Sequence, residues 1–393
     1  MLNKKAESRR LYMSFVSRRF QNQKASLTLD TNALRQYSDI IDLSIGDTDF
    51  TTDARITEAA CQDALRGYTH YGVPKGDAEL IAAVAKAWEE DFSQKVPENE
   101  ILITASSCMG MGLLMLSCLD PGDEVLVFGP YFAVYKQQIE LAGGVCVEVE
   151  TKAEENYALR RDAVEAALTP RTKLMIINNP VNPTGVVYSR SELEMLASVA
   201  QEHDLLIAAD EIYTRYLYEG EFIPIRTLPG MAERTVTLNS FSKNYMMTGW
   251  RVGYVLAPEE IIRTMNLLNG GLVYSAPSVS QRAALKALSL RAEMDALYID
   301  KYKERVLLAA DRIAEIPYMS LVRPKGTFYL FPGIEKTGLS STAFCARALQ
   351  DAHVLLTPGS AFGKAGEGHI RIACTAPTDK LLEAIERLSR LSF

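Results

Sequence analysis

Histidine, paired cysteine and long apolar runs are what this chain has least of. Among its 393 residues only His70, His203, His353 and His369 occur, with no i, i+4 pair and no clustered carboxylates beside them. That leaves little to build a metal centre on, and none is expected. The six cysteines (Cys61, Cys108, Cys118, Cys146, Cys345 and Cys374) include no C-x-x-C pair. They read as reduced, mostly buried thiols rather than a disulfide framework. No apolar run approaches the roughly 20 residues that cross a bilayer. A formal net charge of −7 gives no basic footprint for nucleic acid or for an anionic membrane surface. The opening stretch, MLNKKAESRRLYMSFVSRRF, is basic but lacks the uninterrupted apolar segment of a secretory signal. It reads as a surface or partner-docking arm, with the cytoplasm as the expected compartment.

What is present is an alternation. Short β-rich runs recur as ILITA (101–105), EVLVF (124–128), VCVEVE (145–150), KLMIIN (173–178), LLIAAD (205–210), TVTLNS (235–240) and VGYVLA (252–257). Several are continuously apolar, which suits strands covered on both faces by helices. Helical intervals separate them, such as SRSELEMLASVAQEHD (189–204), where Ser191 and Glu194 have capping-box spacing. The pattern predicts an α/β domain with a mainly parallel sheet of about seven strands. Beyond residue 283 it changes to one long helical tract (280–315), short strands in MSLVRP, GTFYLFP and GHIRIAC, and a terminal helix in PTDKLLEAIERLSRL. The expected division is a large domain at 51–282 and a smaller α+β domain formed by 1–50 with 283–393.

In parallel sheets of this kind ligands gather beyond the carboxyl ends of the strands. Polar residues collect at those ends: Ser106, Ser107 and Cys108 after ILITA, Asn178 and Asn182 in the NPVNPTG region, Asp210 with Tyr213, and Ser240 with Lys243. Each alone could be a turn or a helix cap. Their convergence on one edge fits pyridoxal phosphate chemistry, which needs a lysine amine, an acid for the pyridine nitrogen, donors for the ring oxygen and a phosphate cradle. The stretch SFSKNYMMTGWRVGY adds a second cation, Arg251, eight residues beyond Lys243 in otherwise apolar surroundings.

The motifs DLSIGDTDF, YGVPKGDAEL, DPGDEVLVFGPYFAVY, NNPVNPTG, ADEIY, SFSKNYMMTGWRVGY and HIRIACTAP follow one another through nearly the full length. In this order the chain resembles a fold-type I pyridoxal-phosphate enzyme of the class I/II aminotransferase family, similar to bacterial aspartate and aromatic aminotransferases. The resemblance implies pyridoxal 5′-phosphate as cofactor, with Lys243 as the Schiff-base lysine that also moves the proton between Cα and the cofactor's C4′. It implies phosphate contacts from Arg251, Ser240, Ser107 and Cys108, the last two at a helix opening whose free N–H groups favour an anion. Asp210 would face the pyridine nitrogen, Asn182 and Tyr213 the ring oxygen, and Phe132 the ring face. Gly46 would lie in the loop over the substrate, and Arg371 would clamp the substrate α-carboxylate, a bidentate geometry lysine cannot reproduce. Tyr71 would reach the neighbouring subunit's phosphate site, which implies a homodimer. Relatives often carry Gly with Lys or Thr where this chain has Ser107 and Cys108, and no second arginine is assigned to a dicarboxylic side chain. The implied activity is transfer of an amino group from an amino acid to a 2-oxo acid. A C–S β-lyase on the same fold, and a ligand-sensing regulator that keeps the fold, are the alternatives.

Overall fold

A computed structural model describes Ser17 and residues 37–393, so the rest of the basic N-terminal arm lies outside the described residues. Strand β1 (Ile41–Asp42) comes first and pairs later with a strand near the C-terminus. The large sheet follows, built from β2 (Ile101–Thr104), β3 (Glu124–Gly129), β4 (Val145–Glu150), β5 (Thr172–Asn178), β6 (Leu206–Asp210), β7 (Thr235–Ser240) and β8 (Gly253–Leu256). Its spatial order is β2-β8-β7-β6-β5-β3-β4. Strand β8 runs antiparallel to both β2 and β7. The other pairs are parallel. Every residue of β2, β3 and β7 is buried, because helices cover both faces. That is why the runs ILI of β2 and VLVF of β3 are continuously apolar rather than alternating.

The antiparallel β8 has a consequence for the site. It reverses direction twice across the sheet, so β2 points the same way as β5, β6 and β7. Their carboxyl ends therefore share one edge, and Gly253 at the start of β8 pairs there with both Thr104 and Ser240. A Cβ on Gly253 would sit 2.8 Å from the Ser107 amide nitrogen and 2.7 Å from the Asn239 carbonyl, so only glycine lets these backbones approach.

The helix Arg190–Glu202 is capped by Ser189 and Glu192, each side chain bonding the other's backbone N–H. The capping box expected at Ser191 and Glu194 is thus displaced by two residues. The helical tract expected to run through 280–315 is broken into Ser278–Ser289, Arg291–Met294, a π-turn at Asp295–Ile299 and Asp300–Ala314.

The remaining strands are β9 (Tyr329–Leu330), β10 (Val354–Leu355), β11 (Thr357–Pro358) and β12 (Ile370–Ala373). Strand β12 pairs antiparallel with β9 and β11, and β10 takes β1 in parallel. MSLVRP forms only an isolated bridge at Ser320, against Gly333, instead of the expected strand. Helices Asp300–Ala314, Ser341–Ala352 and Thr378–Ser389 complete this smaller α+β region. Its core gathers Leu43, Tyr302, Phe328, Phe344, Ile372 and Leu381 and includes Tyr213 and Tyr216, which follow β6. The segment after β6 therefore packs into the smaller region, and the site lies on that seam. Among the cysteines only Cys374 is buried, while Cys61 and Cys108 are exposed, so the expectation of mostly buried thiols does not hold. Among the described residues, no helix is long and apolar enough to cross a membrane.

Candidate active site

Asn178 ends β5 in register with Asp210, which ends β6. The Asn178 amide donates 2.9 Å to the Asp210 carbonyl, and its side-chain oxygen accepts 2.7 Å from the Asn182 amide. This pair ties the loop that carries Asn182 to the strand that carries Asp210. The Asn182 side-chain oxygen accepts from Arg371 at 3.2 Å, and Arg371 also donates 2.6 Å to the Ser44 carbonyl. The Arg371 guanidinium lies over the rings of Tyr329, 4.5 Å from its centroid, and Phe362, at 4.9 Å. Tyr213 donates 3.1 Å to the Tyr329 hydroxyl. Tyr329 in turn abuts Gly46, where any Cβ would collide with its hydroxyl. The Gly46 carbonyl accepts from the Lys243 amine. A continuous chain of contacts thus joins Lys243, Gly46, Tyr329, Arg371, Asn182, Asn178 and Asp210.

Lys243 sits in a short helix, Phe241–Asn244, opened by Ser240 at the end of β7. Ser240 caps that turn through its hydroxyl, which bonds the Ser242 amide at 3.0 Å. The Tyr216 hydroxyl donates 3.0 Å to the Lys243 carbonyl, and the amine lies 5.5 Å from the Phe328 ring centroid. Burial lowers its pKa to about 8; Asp47 opposes the shift, while Arg371 and Arg251 add to it. A neutral, nucleophilic amine is thereby far more populated near neutrality than on an exposed lysine.

Asp210 is buried, and burial raises its carboxyl to about 6 against the opposing pull of the Tyr135 hydroxyl and the Ile212 amide. Tyr135 donates to Oδ2. Among the described residues, Oδ1 is buried with no hydrogen-bond partner, as is the Nε of Arg371. Orphaned polar atoms of this kind are uncommon and costly unless a ligand satisfies them. Phe132 packs edge-on against Tyr135 with centroids 5.6 Å apart.

At the end of β2, Ser106 adopts φ +98° and caps the helix Ser107–Cys118, its hydroxyl accepting from the Met109 amide at 3.3 Å. That backbone conformation is sparsely populated for a residue with a side chain. Ser107 and Cys108 open the helix with unsatisfied N–H groups, a natural anion seat. Partial desolvation of its side chain raises the Cys108 thiol, although the residue keeps solvent access, and the Arg251 charge draws it down, so the two residues are neighbours. Arg251 is exposed, at φ +52°, and donates 2.8 Å to the Thr248 carbonyl.

Eleven of the twelve expected residues therefore gather at one edge. Tyr71 does not: it is 89% exposed and meets Tyr274 edge-on, with ring centroids 5.1 Å apart. Three contributors escaped the sequence reading. Tyr135 lies three residues after Phe132 in GPYFAVY, Tyr329 stands within a presumed strand, and Asn178 had a place but no role. Helical spacing from Phe132 was the one cue to Tyr135.

The set fits pyridoxal phosphate on its own chemistry. An unpartnered carboxylate oxygen suits a ring N–H, an amine of lowered pKa suits covalent attachment, and helix N–H groups beside a cation suit a phosphate. The family model "Aminotransferase class I and II" matches residues 38–388. An aromatic-amino-acid aminotransferase of Thermococcus litoralis is 39% identical, the match covering 90% of this chain and 91% of that protein. An arginine–pyruvate transaminase of Pseudomonas aeruginosa is 34% identical, over 96% of this chain and 97% of its own. The solved structure of Thermus thermophilus aspartate aminotransferase with maleate superposes with a TM-score of 0.90 at 35% identity, covering 96% of this chain and 100% of that one. A fold-type I sheet with this site defines a pyridoxal-phosphate-dependent transferase. The chain belongs to the class I and II aminotransferase family, and that membership implies pyridoxal phosphate as its cofactor.

Proposed function

We propose that the enzyme moves an amino group from an amino acid to a 2-oxo acid by a ping-pong cycle. The observation that carries this is the buried Asp210 with one carboxylate oxygen free, at the same edge as an amine of lowered pKa and a buried arginine. When bound, the cofactor supplies an electron sink for the bond broken at the substrate Cα. Lys243 would hold the cofactor covalently and would carry the proton of the substrate Cα. Asp210 keeps the pyridine nitrogen protonated, and Asn182 and Tyr213 donate to the ring oxygen. Phe132 covers the ring face. Ser107, Cys108, Ser240 and Arg251 take the phosphate. Residues 51–282 would form the cofactor-binding domain, with 1–50 and 283–393 as the smaller one.

Arg371 receives the substrate α-carboxylate, with Asn182 beside it and Gly46 leaving room above. Its planar fork and its placement between the rings of Tyr329 and Phe362 support that role. The same rings favour an apolar or aromatic side chain on the substrate over a dicarboxylate. Arg371→Lys keeps the charge and loses the fork. It should raise the substrate KM by at least about tenfold, the scale of one hydrogen bond to a charged group, while the cofactor absorbance persists. Unchanged substrate affinity would remove Arg371 from the site.

The exposed Tyr71, with Tyr274 against it, supports a two-fold dimer in which Tyr71 serves the partner's phosphate site. A fully active species with the mass of one chain in sedimentation would contradict the dimer. The overall activity is tested by amino-group exchange through the bound cofactor, the measurement that closes the Discussion.

A further inference from the structure

We propose that Tyr135 is a positioning residue for this reaction: its hydroxyl fixes the Asp210 carboxylate, leaves Oδ1 as the oxygen for the pyridine nitrogen, and biases their shared proton onto nitrogen. The inference rests on the reading of Asp210 as the pyridine partner. The backbone of Asp210 is already fixed by its register with Asn178 and Leu238 and by the Asn178 amide on its carbonyl. What remains free is the rotation of the carboxylate, and the hydrogen bond from Tyr135 to Oδ2 removes it. The tyrosine is itself held: it is 3% exposed, it packs against Phe132, and its amide donates 3.0 Å to the Phe132 carbonyl.

A donor to one oxygen stabilises the ionised carboxylate, so the proton shared with a base at the other oxygen is displaced toward that base. Tyr135 is suited to this because it stays protonated: burial and the adjoining Asp210 push its own ionisation well above the ordinary range. The acidic groups around the pair stay mostly protonated near neutrality, and the charges that face them are the cations Arg226 at Glu211, Arg371 at Tyr213 and Arg251 at Cys108. Burial holds the Glu211 carboxyl up at about 8, and raises Tyr213, Tyr188 and the Cys108 thiol.

The test uses the full-length holoenzyme loaded with pyridoxal phosphate carrying ¹⁵N in the ring, and reads the nitrogen chemical shift. The wild-type enzyme should show a protonated nitrogen. Tyr135→Phe loses one hydrogen bond to a charged group, so the proton partition should move toward oxygen by roughly 10- to 100-fold at the same pH. Tyr135→His keeps a donor and should return the shift toward the wild-type value. A purely structural role for Tyr135 would leave the nitrogen protonated in all three proteins, and that result overturns the proposal. An unprotonated nitrogen in Tyr135→His also overturns it, which keeps the test decisive if Tyr135→Phe fails to fold. An unprotonated nitrogen in the wild-type enzyme would instead remove Asp210 from its assigned role.

Discussion

Lys243→Ala should abolish the covalent attachment of pyridoxal phosphate and lower turnover by at least about 10²- to 10⁴-fold, the range for loss of a positioned general base. The expectation follows from how the side chain is held. The turn Phe241–Asn244 is fixed at its start by the Ser240 cap and at the Lys243 carbonyl by Tyr216. The amine is thereby directed to the Gly46 carbonyl, in the loop before the helix Ala54–Leu65. Burial lowers its pKa from 10.5 to about 8. That shift makes the neutral amine roughly 300-fold more abundant at neutral pH. The variant should still fold, because the substitution removes a partly buried cation rather than a packed core group. Borohydride reduction of the parent enzyme followed by peptide mapping checks the assignment. A pyridoxyl group found on any other lysine would refute it.

Asp210→Ala should retain the cofactor through its other contacts and lose turnover by at least about 10²-fold, the scale of a lost preorganised electrostatic contact. The carboxylate closes β6 at the edge shared with the ends of β5 and β7, and its Oδ1 has no hydrogen-bond partner among the described residues. Its removal leaves the Tyr135 hydroxyl without an acceptor, a cost of about 1–3 kcal/mol. It also removes a carboxyl whose ionisation burial opposes, so the two effects offset each other in stability. A thermal melt close to the parent's, together with low turnover, would locate the effect in the chemistry. Turnover near the parent's would exclude Asp210 from the role.

All seven strands of the large sheet were legible because their apolar runs are dense and closed by polar residues. KLMIIN and LLIAAD end on Asn178 and Asp210, where the strands themselves end. The antiparallel direction of β8 was not legible, since a buried strand has the same composition in either direction. The capping box was misplaced because Ser189–Glu192 and Ser191–Glu194 have identical spacing, and the choice depends on where the chain turns in from Tyr188. The breaks in the tract 280–315 lack the glycine or proline that ordinarily announces them; Leu290 and the π-turn at Asp295–Ile299 carry neither. MSLVRP alternates as a strand would but finds a partner only at Ser320. In the site, residues at strand ends were found from sequence because topology alone brings them together. Tyr135 and Tyr329 were not, because their roles exist only through contacts across separate elements.

The central claim is that the amino group passes through the cofactor and on to a second substrate. On the proposed mechanism Lys243 would remove the Cα proton in both transamination and β-elimination, so the two differ in what the substrate must carry. Elimination requires a leaving group on the β-carbon. Phenylalanine, which has none, should convert the bound cofactor to pyridoxamine phosphate with release of its 2-oxo acid. Addition of a different 2-oxo acid should then restore the original absorbance and yield the corresponding amino acid. Reaction confined to substrates such as cystathionine, with ammonia and pyruvate released and no pyridoxamine phosphate formed, would contradict the account and make the enzyme a lyase.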